Sequence, residues 1–421
     1  MQLDNLIIPP CLRGFASDAP STELHRISIH NGLVGHIEYA QAAIKNVAIS
    51  TLISCPVDVH THIDKTYVVD EVGAAEGDLF AAITRMGAHR AGWSAEHIRT
   101  RMQRAVQEAY SSGTRALRTH LDWTENRTPT ALPVFEDMQR EWRGRMALQC
   151  VSLTPLDMFD DALAGEAIAQ EMARINQAGE RSSSERYVSE RYAGEAALLG
   201  AFVYRNAGLH DKLQRVFDLA QQYNLSLDFH VDEGLDMDAR GLHAIAELTI
   251  KNAYQGRVTC GHACSLSMQP ADDAIATLKL CALAGIHLVA LPSTNLYLQG
   301  AWNATPVERG ITRLKEAVAH GVSASIATDN VADGFYPYGS YDLLDTYALG
   351  VQAAHLSPAD AWLASITTAP AAAMALPWDG KIAVGCPADL VLLPATTAYE
   401  LVSPAGRTLH TRRVMRHGQW L

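Results

Sequence analysis

Two imidazoles, His60 and His62, close an apolar run that starts at Leu52 and passes through Cys55-Pro56-Val57-Asp58-Val59. The run reads as one buried strand, on which residues two apart face the same way. Paired imidazoles at a strand end make half of a site for a divalent ion. Three later segments supply matching pieces: His230 in Asp228-Phe229-His230-Val231-Asp232-Glu233, His262 in Cys260-Gly261-His262-Ala263-Cys264, and Asp329 in Ile326-Ala327-Thr328-Asp329-Asn330. His60, His62, His230 and Asp329 together suit one Zn²⁺ or Fe²⁺ with a position left for water. Such an ion lowers the pKa of its water towards ~7. Asp329 can then take the water proton. Glu233, three positions past a ligand, is free to shuttle a proton to a substrate nitrogen, and His262 can stabilise the oxygen that forms at the attacked carbon.

A single histidine or aspartate at a strand end is more often a hydrogen-bonded structural residue. Five such residues on predicted strand ends rarely coincide by chance. His120 and Asp122, in Arg118-Thr119-His120-Leu121-Asp122-Trp123, read equally well as pocket lining or as support for the ligands. Cys260 and Cys264 read as buried thiols, because the histidine–carboxylate set is already complete. A two-metal site would need a bridging lysine on the fourth strand; Leu198–Tyr204 has none, so one ion is expected.

The elements that must position these residues alternate. Strand-like runs at 115–121, 147–153, 198–204, 225–231, 257–263, 286–292 and 322–328 join the run ending at His62 to make eight. Amphipathic stretches such as Glu96–Ser111, His210–Tyr223 and Asp272–Ala284 lie between them. Strands apolar on both faces and alternating with helices imply a parallel sheet, and eight units imply a closed (β/α)8 TIM barrel over 56–375. Functional residues of such barrels sit at the C-terminal ends of the strands, where every candidate above falls. Both termini look different. Residues 1–55 and 376–421 carry short strands with hairpin turns at His30-Asn31-Gly32 and Arg416-His417-Gly418, and read as a small β-sandwich domain built from both ends. His25 and His30 in that part are expected at the surface. The polar segment 180–192, ERSSSERYVSERY, reads as a surface insertion.

Bulk properties exclude several classes. A formal net charge of −12 argues against nucleic acid or an anionic membrane as partner. Seven scattered cysteines without a C-x-x-C pair exclude zinc-ribbon and thioredoxin-type sites and fit reduced thiols. The start of the chain lacks a basic stretch with an apolar core of signal-peptide type, and no apolar stretch approaches ~20 residues. A cytoplasmic homo-oligomer acting on a small molecule is the expectation.

At this point the chain resembles the amidohydrolase superfamily, and within it the cytosine deaminase-like branch. The pieces are Val59-His60-Thr61-His62-Ile63-Asp64-Lys65, Phe229-His230-Val231-Asp232-Glu233, Arg257-Val258-Thr259-Cys260-Gly261-His262, Asn295-Leu296-Tyr297-Leu298-Gln299-Gly300 and Ala327-Thr328-Asp329-Asn330-Val331-Ala332-Asp333. The resemblance implies metal-dependent hydrolytic deamination of a small nitrogen heterocycle with release of ammonia. It implies the ligands His60, His62, His230 and Asp329, the proton shuttle Glu233 and the polarising His262. Substrate contacts are expected from Leu156, Asp157, Asn330 and His120. Two departures bear on the substrate. Cytosine deaminases look to carry a glutamine just past a proline on the third strand, where this chain has Pro155-Leu156-Asp157, and a second aspartate where it has Asn330. The His-Thr-His-Ile-Asp-Lys and Asp-Asn pieces are also similar to N-isopropylammelide amidohydrolase, which removes an N-alkylamine; that branch looks to lack the glutamate present here as Glu233. A cyclic-amide hydrolase is disfavoured by the missing lysine, and a non-catalytic scaffold by the complete ligand set. The small nucleobase deaminase fold is excluded, since P-C-x-x-C is absent and the one H-x-E, His36-Ile37-Glu38, lies in the terminal β part.

Overall fold

The computed structural model describes residues 1–16, 22–74, 79–182, 195–407 and 411–421. The polar segment 180–192 lies almost wholly outside them. Among the described residues, fifteen strands form two sheets. β1 (Gln2–Ile7), β2 (Leu24–His30), β3 (Leu33–Tyr39) and β4 (Ser50–Ser54) come from the N-terminal part. Eight barrel strands follow: β5 (Val57–Thr61), β6 (Ala116–Asp122), β7 (Ala147–Pro155), β8 (Ala197–Val203), β9 (Leu227–Val231), β10 (Val258–His262), β11 (His287–Ala290) and β12 (Ser323–Ile326). β13 (Leu390–Leu393), β14 (Arg413–Arg416) and β15 (Gln419–Trp420) return to the terminal sheet, ordered β15-β14-β13-β4-β1-β2-β3.

The barrel strands pair in sequence order, all parallel. Amphipathic helices between them, such as Ala95–Ser112, Leu209–Tyr223 and Ala271–Leu283, turn their apolar stripe onto the sheet. Their ends follow local chemistry. Ser94 Oγ accepts from the His97 N–H at one start, and Gly113, at φ +113°, ends the same helix. β2 and β3 are joined by Asn31-Gly32, both with positive φ, as a tight two-residue hairpin requires.

Two expectations need correction. The run Leu52–Val59 is not one strand. It divides at Cys55-Pro56 into β4, which pairs with β1 and β13 in the terminal sheet, and β5, which pairs with β6 in the barrel. Pro56 has no N–H to donate to a ladder, so the chain changes sheets there. His25 is likewise buried, its Nε2 3.3 Å from Glu23, rather than at the surface; His30 is exposed. Of the seven thiols, all free, six are buried and Cys11 is half-buried. No helix among the described residues is long and apolar enough to cross a membrane.

The barrel closes between β12 and β5 through site residues. The carboxylate of Asp58 accepts from both the N–H and the hydroxyl of Thr328, and the Asp329 N–H donates to the His60 carbonyl at 2.9 Å. Closure of the fold therefore fixes Asp329 against His60.

Candidate active site

His60, His62, His230, His262 and Asp329 converge at the C-terminal end of the barrel, all buried. Three adjoining backbones bend into the left-handed region where their strands stop: Asp232 at φ +49°, His262 at +68° and Asp329 at +66°. Non-glycine residues held so cost about 1–3 kcal/mol each and persist where the surroundings over-determine them. Asp232 shows how. Its carboxylate accepts from the N–H groups of Gly241 and Leu242 at 3.1 and 2.9 Å, capping the helix Gly241–Lys251 and pinning the loop that presents Glu233. Gly261 is needed for space: a Cβ there would come within 2.8 Å of the His60 ring.

Asp329 Oδ1 lies 3.2 Å from His62 Nε2 and 3.5 Å from His60 Nε2, and His62 Nε2 lies 3.2 Å from His230 Nε2. Ligand atoms of His60, His62, His120 and His230 fall within 4.8 Å of one another, as do those of His60, His262 and Asp329. Neither His60 nitrogen and neither Asp329 oxygen makes a well-aligned hydrogen bond, although all four are buried. Buried polar atoms left so are costly unless something else binds them. The donor set fits a divalent ion.

Charge states suit that role. Burial pushes His62 down to about 3, with the Lys65 ammonium adding to it, and pushes His230 well below the usual imidazole range, with His60 next. Neutral imidazoles keep the lone pairs that metal binding needs. Burial alone would raise the Asp329 carboxyl, but the imidazoles of His60 and His62 hold it well below the ordinary range. Glu233 goes the other way. Burial first, then the negative charge of Asp329, raises it well above the usual carboxyl range, which favours the protonated form. Its Oε1 stands 3.4 Å from His262 Nδ1. The Asn295 amide nitrogen lies 3.1 Å from the same Nδ1; an N–H donated there leaves the ring proton on His262 Nε2, where it can serve a substrate oxygen.

A cavity of about 620 Å³, counted to its open mouth, adjoins this group. His62, His230, Glu233 and His262 form its floor with Asn330. Leu79, Ile83 and Arg90 of the helix Leu79–Arg90 face them, with Phe202 and Phe335 alongside. Lys65 and Arg90 both bind Asp122, at 2.7 and 2.6 Å, and all three side chains reach the cavity. The expected substrate contacts fare unequally. Asn330 lines the cavity and donates to Asp333 Oδ2 at 2.7 Å. His120 is buried behind the other histidines, off the cavity wall. Leu156 opens a short 3-10 turn after β7 and packs into the barrel core, while Asp157 is exposed and bound to Lys212 at 2.6 Å. The cavity wall on this strand is made by Leu153 and Pro155 instead. Lys65 and Asn295 stood inside quoted motifs without an assigned role; Arg90, Leu79 and Ile83 sit on a helix that no strand-end pattern marks.

The Amidohydrolase family profile matches residues 151–420. This chain belongs to the amidohydrolase family. The amidohydrolase is 37% identical over 366 residues to the pterin deaminase of Rhizobium rhizogenes strain K84, covering 86% of this chain and 78% of that protein. It is 23% identical to the N-isopropylammelide isopropyl amidohydrolase of Pseudomonas sp. strain ADP, over 80% of this chain and 78% of that one. Its fold superposes on 5-methylcytosine deaminase from Klebsiella pneumoniae, solved with phosphonocytosine, at a TM-score of 0.82 and 25% identity, covering 100% of this chain and 98% of the other.

Proposed function

We propose that this amidohydrolase is a cytoplasmic, metal-dependent hydrolytic deaminase that releases ammonia from an amidine carbon of a pterin-type 2-amino-4-oxo ring. The observation that carries the reading is Glu233, a buried carboxyl on the floor shared with His62, His230 and His262, its pKa pushed up by burial. Deamination needs such a group, since the ring nitrogen beside the attacked carbon must gain a proton as water adds. A single Zn²⁺ or Fe²⁺ held by His60, His62, His230 and Asp329 would supply a water acidic enough to attack at neutral pH.

The chain's own groups divide the remaining labour. Glu233 gives its proton to the ring nitrogen. Asp329 accepts one from the attacking water. His262 Nε2–H donates to the oxygen forming at the carbon. The exocyclic C–N bond breaks as Asp329 passes the proton it took to the amine, which leaves as ammonia, and the remaining proton of the added water returns to Glu233. Apolar groups on the opposite side, Leu79, Ile83, Phe202 and Phe335, suit a flat bicyclic ring, and Lys65 and Arg90 supply donors for its 4-oxo group. The similarity to pterin deaminase over 86% of the chain supports that ring over a single pyrimidine.

The test is ammonia release by metal-replete protein from pterin, cytosine, 5-methylcytosine and N-isopropylammelide. Pterin should give the highest kcat/KM. Alkylamine from N-isopropylammelide outrunning ammonia from every other compound would overturn the reading. Elemental analysis should find one equivalent of metal per chain; two full equivalents would overturn the single-ion site.

A further inference from the structure

Below the floor of the site lies a second layer of polar side chains that the mechanism does not use. Arg118 and His120 are two apart on β6, and Asp228 and His230 are two apart on β9, so each pair shares the inward face. Arg118 and Asp228 form the lower tier; His120 and His230 form the upper. Arg118 is held by four acceptors: Asp228 Oδ2 at 2.7 Å, Gln149 Oε1 at 3.0 Å, Thr259 Oγ1 at 3.2 Å and the Ala373 carbonyl at 2.9 Å. The other Asp228 oxygen stands 3.2 Å from His120 Nε2. His120 in turn touches the metal-holding group twice. Its ring lies 4.0 Å from that of His60, centre to centre, at a tilt of 35°. Its carbonyl lies 3.3 Å from His62 Nδ1, which places the Nδ1 proton there and leaves Nε2 of His62 facing Asp329 and His230.

We propose that His120 is a positioning residue for the metal-holding imidazoles, its ring set by the Asp228–Arg118 pair. It is fully buried and off the cavity wall, so it acts on the ion's ligands and not on substrate. A carboxylate beneath a histidine of a metal site fixes ring orientation, and losing such a partner typically lowers metal affinity ~10–100-fold. The proposal rests on the metal-dependent reading above, but its measurement needs no substrate.

The full-length protein, stripped by chelator, is titrated with Co²⁺ and followed by its visible absorption band, alongside circular dichroism and a thermal melt. His120→Phe keeps a ring against His60 but cannot meet Asp228; Asp228→Asn keeps shape and removes the charge. Each should bind Co²⁺ ~10–100-fold more weakly and shift the band at saturation, with the folded spectrum retained. His120→Phe stands alone if Asp228→Asn does not fold. Parental Co²⁺ affinity and band in His120→Phe would overturn the proposal, whether or not its melting temperature falls. A parental protein that binds no Co²⁺ would overturn both this and the metal-dependent reading. Normal Co²⁺ binding without ammonia release would overturn the deaminase reading alone.

Discussion

The two sides of the cavity are built differently. Its floor comes from strand ends: His62, His230, Glu233 and His262 are each at most 5% exposed, His230 and His262 within the parallel ladder and His62 and Glu233 one and two positions past the ends of β5 and β9. The rest of the lining, the wall, comes from a helix (Leu79, Ile83, Arg90), from loops (Lys65, Phe335) and from side chains of β7 and β8 (Leu153, Pro155, Phe202). Ile83 is 37% exposed and the Arg90 side chain 27%; the helix is held by the ion pair of Arg90 with Asp122 and by the packing of Leu79, Ala82 and Met86 against Val68, Val72 and Phe335. Ladder-bound residues cannot shift without disturbing neighbouring strands, whereas a helix face changes at little cost to the barrel. On the proposed function, the floor would set the chemistry and the wall the substrate. If that division holds, changes to the floor should reduce turnover, and changes to the wall should mainly alter binding.

The largest effect is expected at Glu233. Glu233→Gln keeps shape and hydrogen-bonding capacity but has no proton to give, so kcat should fall ~10²–10⁴-fold with metal content unchanged. The sign of the pH dependence follows from the raised pKa. The working form is the protonated acid, so kcat/KM should decline as pH rises through the Glu233 pKa, and that alkaline limb should be missing from the residual activity of Glu233→Gln. Near-parental turnover would place the proton shuttle elsewhere and remove the floor's claim to the chemistry.

A smaller effect is expected across the cavity. Arg90→Ala removes a donor from the wall and leaves Asp122 with Lys65 alone. A hydrogen bond to a charged group is worth roughly 1.5–3 kcal/mol, so KM for the best substrate should rise about tenfold or more. With the floor untouched, kcat should stay within about twofold, the pattern of lost uniform binding. A fall in kcat matching the rise in KM would show that the wall takes part in the chemistry.

The same division explains what could be read from the chain. His-x-His, His230, His262 and Asp329 were legible because the period of a strand converts spacing directly into a shared face and a shared end. The tier of Arg118 and Asp228 follows the same period, but spacing alone does not mark charged residues as facing the inside of a barrel. The wall obeys no such rule. Arg90 reaches Asp122 through tertiary packing of a helix whose own pattern says nothing about a cavity. The break of Leu52–Val59 at Pro56 was written in the sequence but outweighed by an unbroken apolar run. Backbone turns at Asp232, His262 and Asp329 were not legible, since positive φ at non-glycine residues is imposed by the surrounding fold.

The smallest effect on selectivity is expected at Leu156. A side chain just past the proline of β7 could be taken for a reader of the substrate edge, and an amide there would then favour cytosine. Its burial in the barrel core says otherwise. Leu156→Gln would place an amide among apolar groups with nothing to bind, costing about 1–3 kcal/mol of stability. Leu156→Met, close in volume and apolar, should cost less than about 1.5 kcal/mol. In both variants the ratio of kcat/KM for pterin to that for cytosine should stay within about twofold of the parental value, because neither reaches the cavity. Urea unfolding and that ratio, measured together, separate the two roles. A tenfold gain for cytosine in Leu156→Gln would mean that this residue faces substrate, and that the wall extends along β7 past Leu153 and Pro155.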